Sequence, residues 1–279
     1  MDIIENIGNS VIQHGQHNDR IYLMKMGDQN PQETLQYLEE LAKENDYSKI
    51  FAKVPEQVVE DFQSAGFISE ARVPHLGENN EEIHFMGKFM DEKRFEVVQE
   101  SLLNKNLEIA LKKADDPFNK SLMAKFECQA CGAEDIDEMA EVYAQVFETY
   151  PFPIHETDFL KESMEGDTRF FGIRNAKNEL VAVSSAEMDP SSRSAEMTDF
   201  ATLPDYRGFS LASHLLSEME QNIVDEGIET GFTIARAASI GMNVTFAKGG
   251  YEYSGRLRNN TNISGDIESM NVWYKKLVA

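Results

Sequence analysis

Phe200-Ala-Thr-Leu-Pro204-Asp-Tyr-Arg207-Gly208-Phe-Ser210-Leu-Ala212 decides how this chain folds. An apolar strand ends there, turns through small residues and runs into an amphipathic helix expected over about 210–226. The first amides of a helix have no partner within it, and that end of its dipole is positive. Such a mouth binds a diphosphate through main-chain N–H groups if the side chains stay small. Gly208, Ser210 and Ala212 keep it open, and Arg207 adds a positive charge. The same residues also read as an ordinary strand–turn–helix corner.

Working outward, strands are expected at 122–129, 169–174, 180–188, 194–202 and 230–236. Helices are expected from Asp135 through Phe147, near 158–165, and at 242–248, with two closing strands. Hairpins followed by a crossover helix make this an α+β fold with a mixed sheet rather than a doubly wound parallel one. Residues 92–113 place Phe95, Val98, Leu102, Leu103, Leu107 and Leu111 at helical spacing, and Asp115-Asp116-Pro117 ends the pattern. A boundary there divides the chain into 1–116 and 117–279.

The two parts share a pattern. Advancing by 184 positions carries Ile50 onto Ile234, Phe62 onto Phe246, Gly66 onto Gly250, Arg72 onto Arg256, Ile83 onto Ile267 and Met86 onto Met270. Phe67 then meets Tyr251, and Phe89 meets Trp273. A glycine that ends a helix and an aromatic that starts the next strand recur at one spacing, which reads as duplication of one α+β unit. At the position of the Arg207–Ala212 loop the first copy has Leu23–Asp28, without that spacing. The first copy is therefore expected to be degenerate, completing the fold or shaping an acceptor pocket.

The chain has 279 residues, 26 basic against 49 acidic, for a formal charge of −23. That excess argues against a nucleic-acid surface or an anionic membrane as partner, since both require clustered Lys and Arg. No apolar run reaches the roughly 18 residues of a membrane span. The opening residues lack the basic and apolar stretches of a secretory signal, so a cytoplasmic location is expected. A surface this acidic serves solubility, or suits a salt-rich interior where screening removes its self-repulsion. Oligomeric state is left open.

Arg207-x-x-Ser210-x-Ala212 resembles the acyl-CoA pyrophosphate signature of the GNAT N-acetyltransferase superfamily, Arg-x-x-Gly-x-Gly/Ala, with Ser210 where the first Gly is usual. The Lys248-Gly-Gly250-Tyr251 ending of the last short helix matches too. Thr198–Pro204, Ile234–Asn243, Asn259–Gly265 and Glu268–Tyr274 resemble a narrower family, the β-lysine N-acetyltransferases of methanogenic archaea and some bacteria. So do Asp19–Lys25, Ile50–Pro55 and Gly66–Ala71. The resemblance implies a GNAT-like mixed sheet flanked by helices, preceded by a smaller degenerate GNAT-like domain. It implies transfer of acetyl from acetyl-CoA to the ε-amine of β-lysine, giving the compatible solute Nε-acetyl-β-lysine. Two alternatives stay open: acetylation of another small amine or amino acid, and a non-catalytic CoA-binding or sensing module.

The resemblance also implies where CoA lies: along Phe200, Ala201, Thr202, Arg207, Gly208, Phe209, Ser210, Leu211 and Ala212, with Asn243 and Phe246 from the short helix. An amine of pKa about 10.4 must lose a proton before it attacks a thioester, so a nearby base is useful. Glu196 and Asp199 precede the loop, with Glu196 slightly favoured. Strand alternation sets them on opposite faces unless a bulge intervenes. Phe246 stands where the family often has a proton-donating Tyr, leaving Ser239 and Asn243 as polar candidates, or simply as helix caps. For the acceptor, Arg236 is expected to clamp a carboxylate, with Arg256 and Arg258 as rivals. Tyr150 and Phe152 fall in the acceptor-loop region, and Asn259 and Asn260 are placed to orient the amine. No metal is expected, because Cys128-x-x-Cys131 lacks a second ligand pair.

Overall fold

Short β-favouring runs punctuated by Gly, Asn and Asp turns build the first third of the chain: β1 (Ile3–Ile7), β2 (Ser10–Gly15) and β3 (Arg20–Lys25). Pro31 then opens α1 (Pro31–Glu44), where the Asn30 side chain accepts from the Gln32 N–H at 3.0 Å and Leu35, Leu38 and Ala42 are buried. β4 (Lys49–Pro55), α2 (Val59–Ser64), β5 (Ile68–Val73) and β6 (Ile83–Phe89) complete this part. The computed structural model describes residues 2–116 and 122–278.

The expected single helix over 92–113 is two, α3 (Glu92–Phe95) and α4 (Glu100–Lys112). The apolar stripe read from the sequence is largely exposed: Phe95, Val98, Leu102 and Leu111 face solvent, while Leu103, Asn106 and Ala110 are buried. Val98 falls in the break between the helices and is 98% exposed, so its spacing carried no packing information. Pro117, expected to end the stretch, lies outside the described residues.

The remainder forms β7 (Phe126–Ala130), α5 (Ile136–Val146), α6 (Thr157–Glu165), β8 (Thr168–Asn175), β9 (Leu180–Asp189) and β10 (Ser194–Thr202). There follow α7 (Leu211–Asp225), β11 (Thr230–Arg236), α8 (Ile240–Lys248), β12 (Glu252–Ile263) and β13 (Asp266–Lys276). β7 starts four residues later than expected. The Asp135 carboxylate does not cap α5; it accepts from the Gly132 N–H at 2.8 Å and pairs with Arg174 at 2.5 Å.

Strand order is β1-β2-β3-β4-β6-β5 in one sheet and β7-β8-β9-β10-β11-β13-β12 in the other. Each has one parallel pair, β3–β4 and β10–β11, with a helical crossover between its strands. The repeat extends to register. Ile50 pairs with Lys88, and adding 184 to each gives Ile234 and Val272, which pair in β11–β13. Both short helices end alike: Phe67 N–H donates to Phe62 O at 3.0 Å and Tyr251 N–H to Phe246 O at 3.1 Å, across Gly66 (φ +87) and Gly250 (φ +82). The copies differ at the last strand. Ser69 pairs with Met86, but Tyr253 pairs with Trp273, because β12 is longer and carries two irregularities.

The sheets pack against one another through Tyr22, Phe51 and Phe85 on one side and Phe232, Leu257, Met270 and Val272 on the other. β12 approaches β5 so closely that a Cβ at Gly255 would lie 2.1 Å from Glu70 O, so only glycine fits there. Beside it Lys49 and Glu70 form a buried pair at 2.7 Å, and both hold the Arg258 backbone, at 2.8 and 2.6 Å.

Candidate active site

β10 and β11 pair only from Ser194 to Glu196, opposite Thr230 to Phe232, and then part. The opening between them leads into a cavity of about 870 Å³. Its mouth is the N-terminus of α7. Ser210 caps that helix in the left-handed region (φ +59), Gly208 before it has φ +84, and nothing lies within 4 Å of where a Gly208 Cβ would sit. Among the described residues, no acceptor appears for the N–H groups from Gly208 to Ala212, and no acidic side chain occupies the first turn. In so acidic a chain that omission leaves the dipole end free for an anion. The matching helix α1 is closed instead, with Asn30 capping it and Glu33 in its first turn. The residues therefore fit the diphosphate of acetyl-CoA at α7 and not at α1.

The β9–β10 register breaks between Thr198 and Ala201, and Asp199 adopts φ +54. This bulge cancels the alternation expected of a regular strand and brings both Glu196 and Asp199 to the cavity wall. Their surroundings differ. Asp199 accepts from Tyr150 Oη at 2.5 Å through one oxygen and from Ser185 Oγ at 2.5 Å through the other. Burial pushes its pKa up, and the hydroxyl donors Ser185, Tyr150 and Thr198 pull it back. Glu196 has no side-chain hydrogen-bond partner among the described residues, and the Ile234 N–H donates to it. Burial raises it to about 7, with Lys53 opposing and Asp199 adding to the rise. Glu187, directly across the ladder from Glu196, also lines the cavity and is pushed well up by burial and by Asp199 and Glu196.

Of the other residues singled out from sequence, Phe200, Thr202, Arg207, Gly208, Ser210, Leu211, Ala212 and Phe246 line the cavity, as do Tyr150, Phe152, Arg236 and Asn260. Four do not. Ala201 is in the apolar core beneath β10. Phe209 turns outward onto Phe126 (5.6 Å) and the Lys125 ammonium (4.0 Å). Asn243 is fully buried: it donates to Arg236 O and Ser239 O and accepts from Asn271 and Trp273, so it ties α8 to the sheet. Asn259 donates to the carbonyls of Arg94 and Glu96, tethering the α3 connection.

Arg236 reaches the cavity, but Glu268 already holds it bidentately at 3.0 and 2.5 Å. Arg256 bonds Asn271 and Asn104, and Arg258 stacks on Phe95; neither lines the cavity. Ser239 caps α8, its oxygen accepting from Met242 N–H at 3.4 Å. Phe246 packs edge-on against Phe200 and Tyr251.

The sequence reading missed the residues that the first sheet sends into the same cavity, namely Arg20, Tyr22, Met24, Phe51 and Lys53. Burial works against the Lys53 charge, but Tyr22, Glu196 and Glu187 outweigh it and hold its pKa above the usual lysine value. Lys53 and Glu187 carry no local motif. Only the facing of the two sheets brings them beside Glu196.

A model of the acetyltransferase (GNAT) family matches residues 135–242, which include β10, the loop and α7. The chain is 38% identical over 279 residues to the β-lysine N(6)-acetyltransferase of Methanococcus maripaludis, covering 99% of each protein. It belongs to the β-lysine N(6)-acetyltransferase family. The member from Methanosarcina mazei is 36% identical over 143 residues, 51% of this chain and 52% of that protein. The N-acetyltransferase YodP of Bacillus subtilis is 38% identical over 152 residues, 54% of this chain and 55% of that protein.

With the family fixed, the remaining motif resolves locally. Cys128 and Cys131 are free thiols, each pushed up to about 12, chiefly by burial, which keeps them in the unreactive protonated form. Among the described residues no helix is long and apolar enough to cross a membrane.

Proposed function

We propose that this protein transfers the acetyl group of acetyl-CoA to the ε-amine of β-lysine by direct attack within the cavity between β10 and β11. The observation that carries this reading is the pairing of an open helix mouth at Gly208–Ala212 with a carboxylate, Glu196, that is bonded by the Ile234 N–H alone, in one cavity. The free N–H groups and Arg207 hold the diphosphate. The bulge takes Asp199 and Phe200 out of the ladder, so main-chain N–H groups there are available to polarise the thioester carbonyl.

Glu196, with a pKa of about 7, is poised to accept a proton from an incoming ammonium group at neutral pH. Asp199 serves differently. Both its oxygens are engaged, so it fixes the Tyr150–Phe152 segment that walls the acceptor end. Phe246 has no proton to give, and the CoA thiolate is a good enough leaving group to depart without a tyrosine donor. Residues 1–116 act as a degenerate copy that closes the acceptor pocket, and residues 117–279 as the acetyl-transferring unit. The product is a compatible solute, a role that the formal charge of −23 supports by suiting the protein to a salt-rich interior.

Mass spectrometry of products, after incubation with acetyl-CoA and an equimolar panel of β-lysine, α-lysine, ornithine and linear diamines, tests the reading. The expected product is β-lysine bearing one acetyl group on its terminal nitrogen. Acetylation of another amine with β-lysine untouched overturns the substrate. Absence of any acetylated product overturns the activity.

A further inference from the structure

Arg20 presents an unusual electrostatic situation. Its side chain is buried, with 3% of the residue exposed, and it lines the same cavity as Glu196. Arg236, in the same cavity, has Glu268, Arg94 has Asp19, and Arg174 has Asp135 and Glu138, while Arg207 at the cavity mouth is exposed to solvent. Arg20 has none within ion-pair distance among the described residues. Nη1 donates only to neutral oxygens, Asn260 O at 2.5 Å and Thr261 Oγ1 at 3.1 Å, and Nε is buried with no acceptor.

A buried cation without a counter-ion is costly, and burial lowers the pKa of this one to about 10. The group is nevertheless held in place. Its guanidinium lies 5.2 Å from the Tyr22 ring centre and 5.7 Å from that of Phe51, which fixes its plane. Arg94 lies near enough to add to the positive field, and Asp2, beyond ion-pair distance, offsets it in part. Next to it the Asn260 side-chain oxygen is likewise buried without a donor. An unmatched cation and an unmatched acceptor side by side complement an amino-acid head group.

We propose that Arg20, supplied by the degenerate N-terminal sheet, binds the acceptor's carboxylate, and that Asn260 accepts from its β-ammonium. This rests on the functional reading above and deepens it. With the head group held at Arg20, the far amine is the one delivered to Glu196, which makes the first sheet the source of selectivity for the terminal nitrogen. It also accounts for an N-terminal half that keeps the fold but lacks a diphosphate mouth.

The test compares β-lysine with 1,4-diaminopentane, which has the same two amines and no carboxylate, in the wild type, Arg20→Met and Arg20→Lys. Arg20→Met is expected to lower kcat/KM for β-lysine about 100-fold, mostly through KM, and to leave 1,4-diaminopentane within about threefold, the size expected for a lost buried charge pair. Arg20→Lys, which keeps the charge but loses the planar fork, is expected to fall about tenfold and so covers the case in which Met does not fold. Acetyl-CoA binding measured by calorimetry on each variant reports an intact fold. Equal losses on both substrates, or no loss on β-lysine, overturn the clamp and leave the acetyltransferase reading standing. A wild type that acetylates neither compound overturns both.

Discussion

The Tyr150 hydroxyl donates a hydrogen bond to Asp199 at 2.5 Å, and this bond divides the work of two carboxylates three positions apart in one strand. Each Asp199 oxygen accepts from a hydroxyl, of Tyr150 and of Ser185, whereas Glu196 is bonded by the Ile234 N–H alone, so Glu196 is the carboxylate with more lone pairs open to an incoming amine. Tyr150→Phe removes a donor from a buried carboxylate, at a cost of about 1–3 kcal/mol. The expected result is a lower melting temperature and a raised KM for the amine, with kcat reduced far less than in Glu196→Gln. Thermal unfolding and steady-state kinetics on the two variants check this.

Ser210 occupies a left-handed conformation that glycine adopts without penalty. Ser210→Gly is expected to leave stability equal or higher and acetyl-CoA KM no worse. Ser210→Val, branched at Cβ, costs roughly 1–2 kcal/mol in the same geometry. It is expected to weaken acetyl-CoA binding as the loop distorts. Calorimetric titration of the two variants with acetyl-CoA distinguishes these outcomes, and equal affinity in both would contradict the role given to the turn.

Glu196 makes the folded protein sensitive to pH in a defined direction. Its folded pKa of about 7 exceeds the usual 4.5, so the folded state binds its proton more tightly than the unfolded chain does. The corresponding stability is present below pH 4.5 and is lost as pH rises through 7, amounting to about 3 kcal/mol. Gln mimics the neutral acid. Glu196→Gln is therefore expected to melt above wild type at pH 8 and level with it near pH 4.5. Identical melting curves at both pH values would contradict this.

How much of this was legible in the sequence depended on how local each signal was. Arg207, Gly208, Ser210 and Ala212 announced the helix mouth because an anion site at a helix terminus is built from neighbours along the chain. Glu196 and Asp199 were visible as candidates, but their shared orientation was not, since it depends on a positive φ at a residue that is not glycine. Arg236 looked free because its partner Glu268 lies diagonally across β11–β13, 32 residues away. Arg20, Tyr22 and Lys53 fall in the family-like stretches Asp19–Lys25 and Ile50–Pro55, but nothing local marked them as site residues. Their function arises from two sheets meeting face to face, which no periodicity records. The repeat with its 184-residue spacing was legible and extends to the pairing of Ile234 with Val272, whereas the slip of β12 depended on irregularities in its own ladder.

Lys53 connects the halves electrostatically, and its charge lowers the pKa of Glu196. Removing it in Lys53→Met is expected to move the acid limb of the kcat/KM profile to higher pH, leaving acetyl-CoA affinity unchanged. A limb that stays in place would show that Lys53 does not act on Glu196.

The claim at the centre is that Glu196 takes the proton from the attacking amine. The pH dependence of kcat/KM for β-lysine, measured in parallel on wild type and Glu196→Gln under saturating acetyl-CoA, tests it most directly. The account predicts a wild-type rate that rises through a pKa of about 7, and a variant in which that limb is gone and kcat has fallen about 100-fold or more. A variant that keeps both the limb and the wild-type kcat would contradict it.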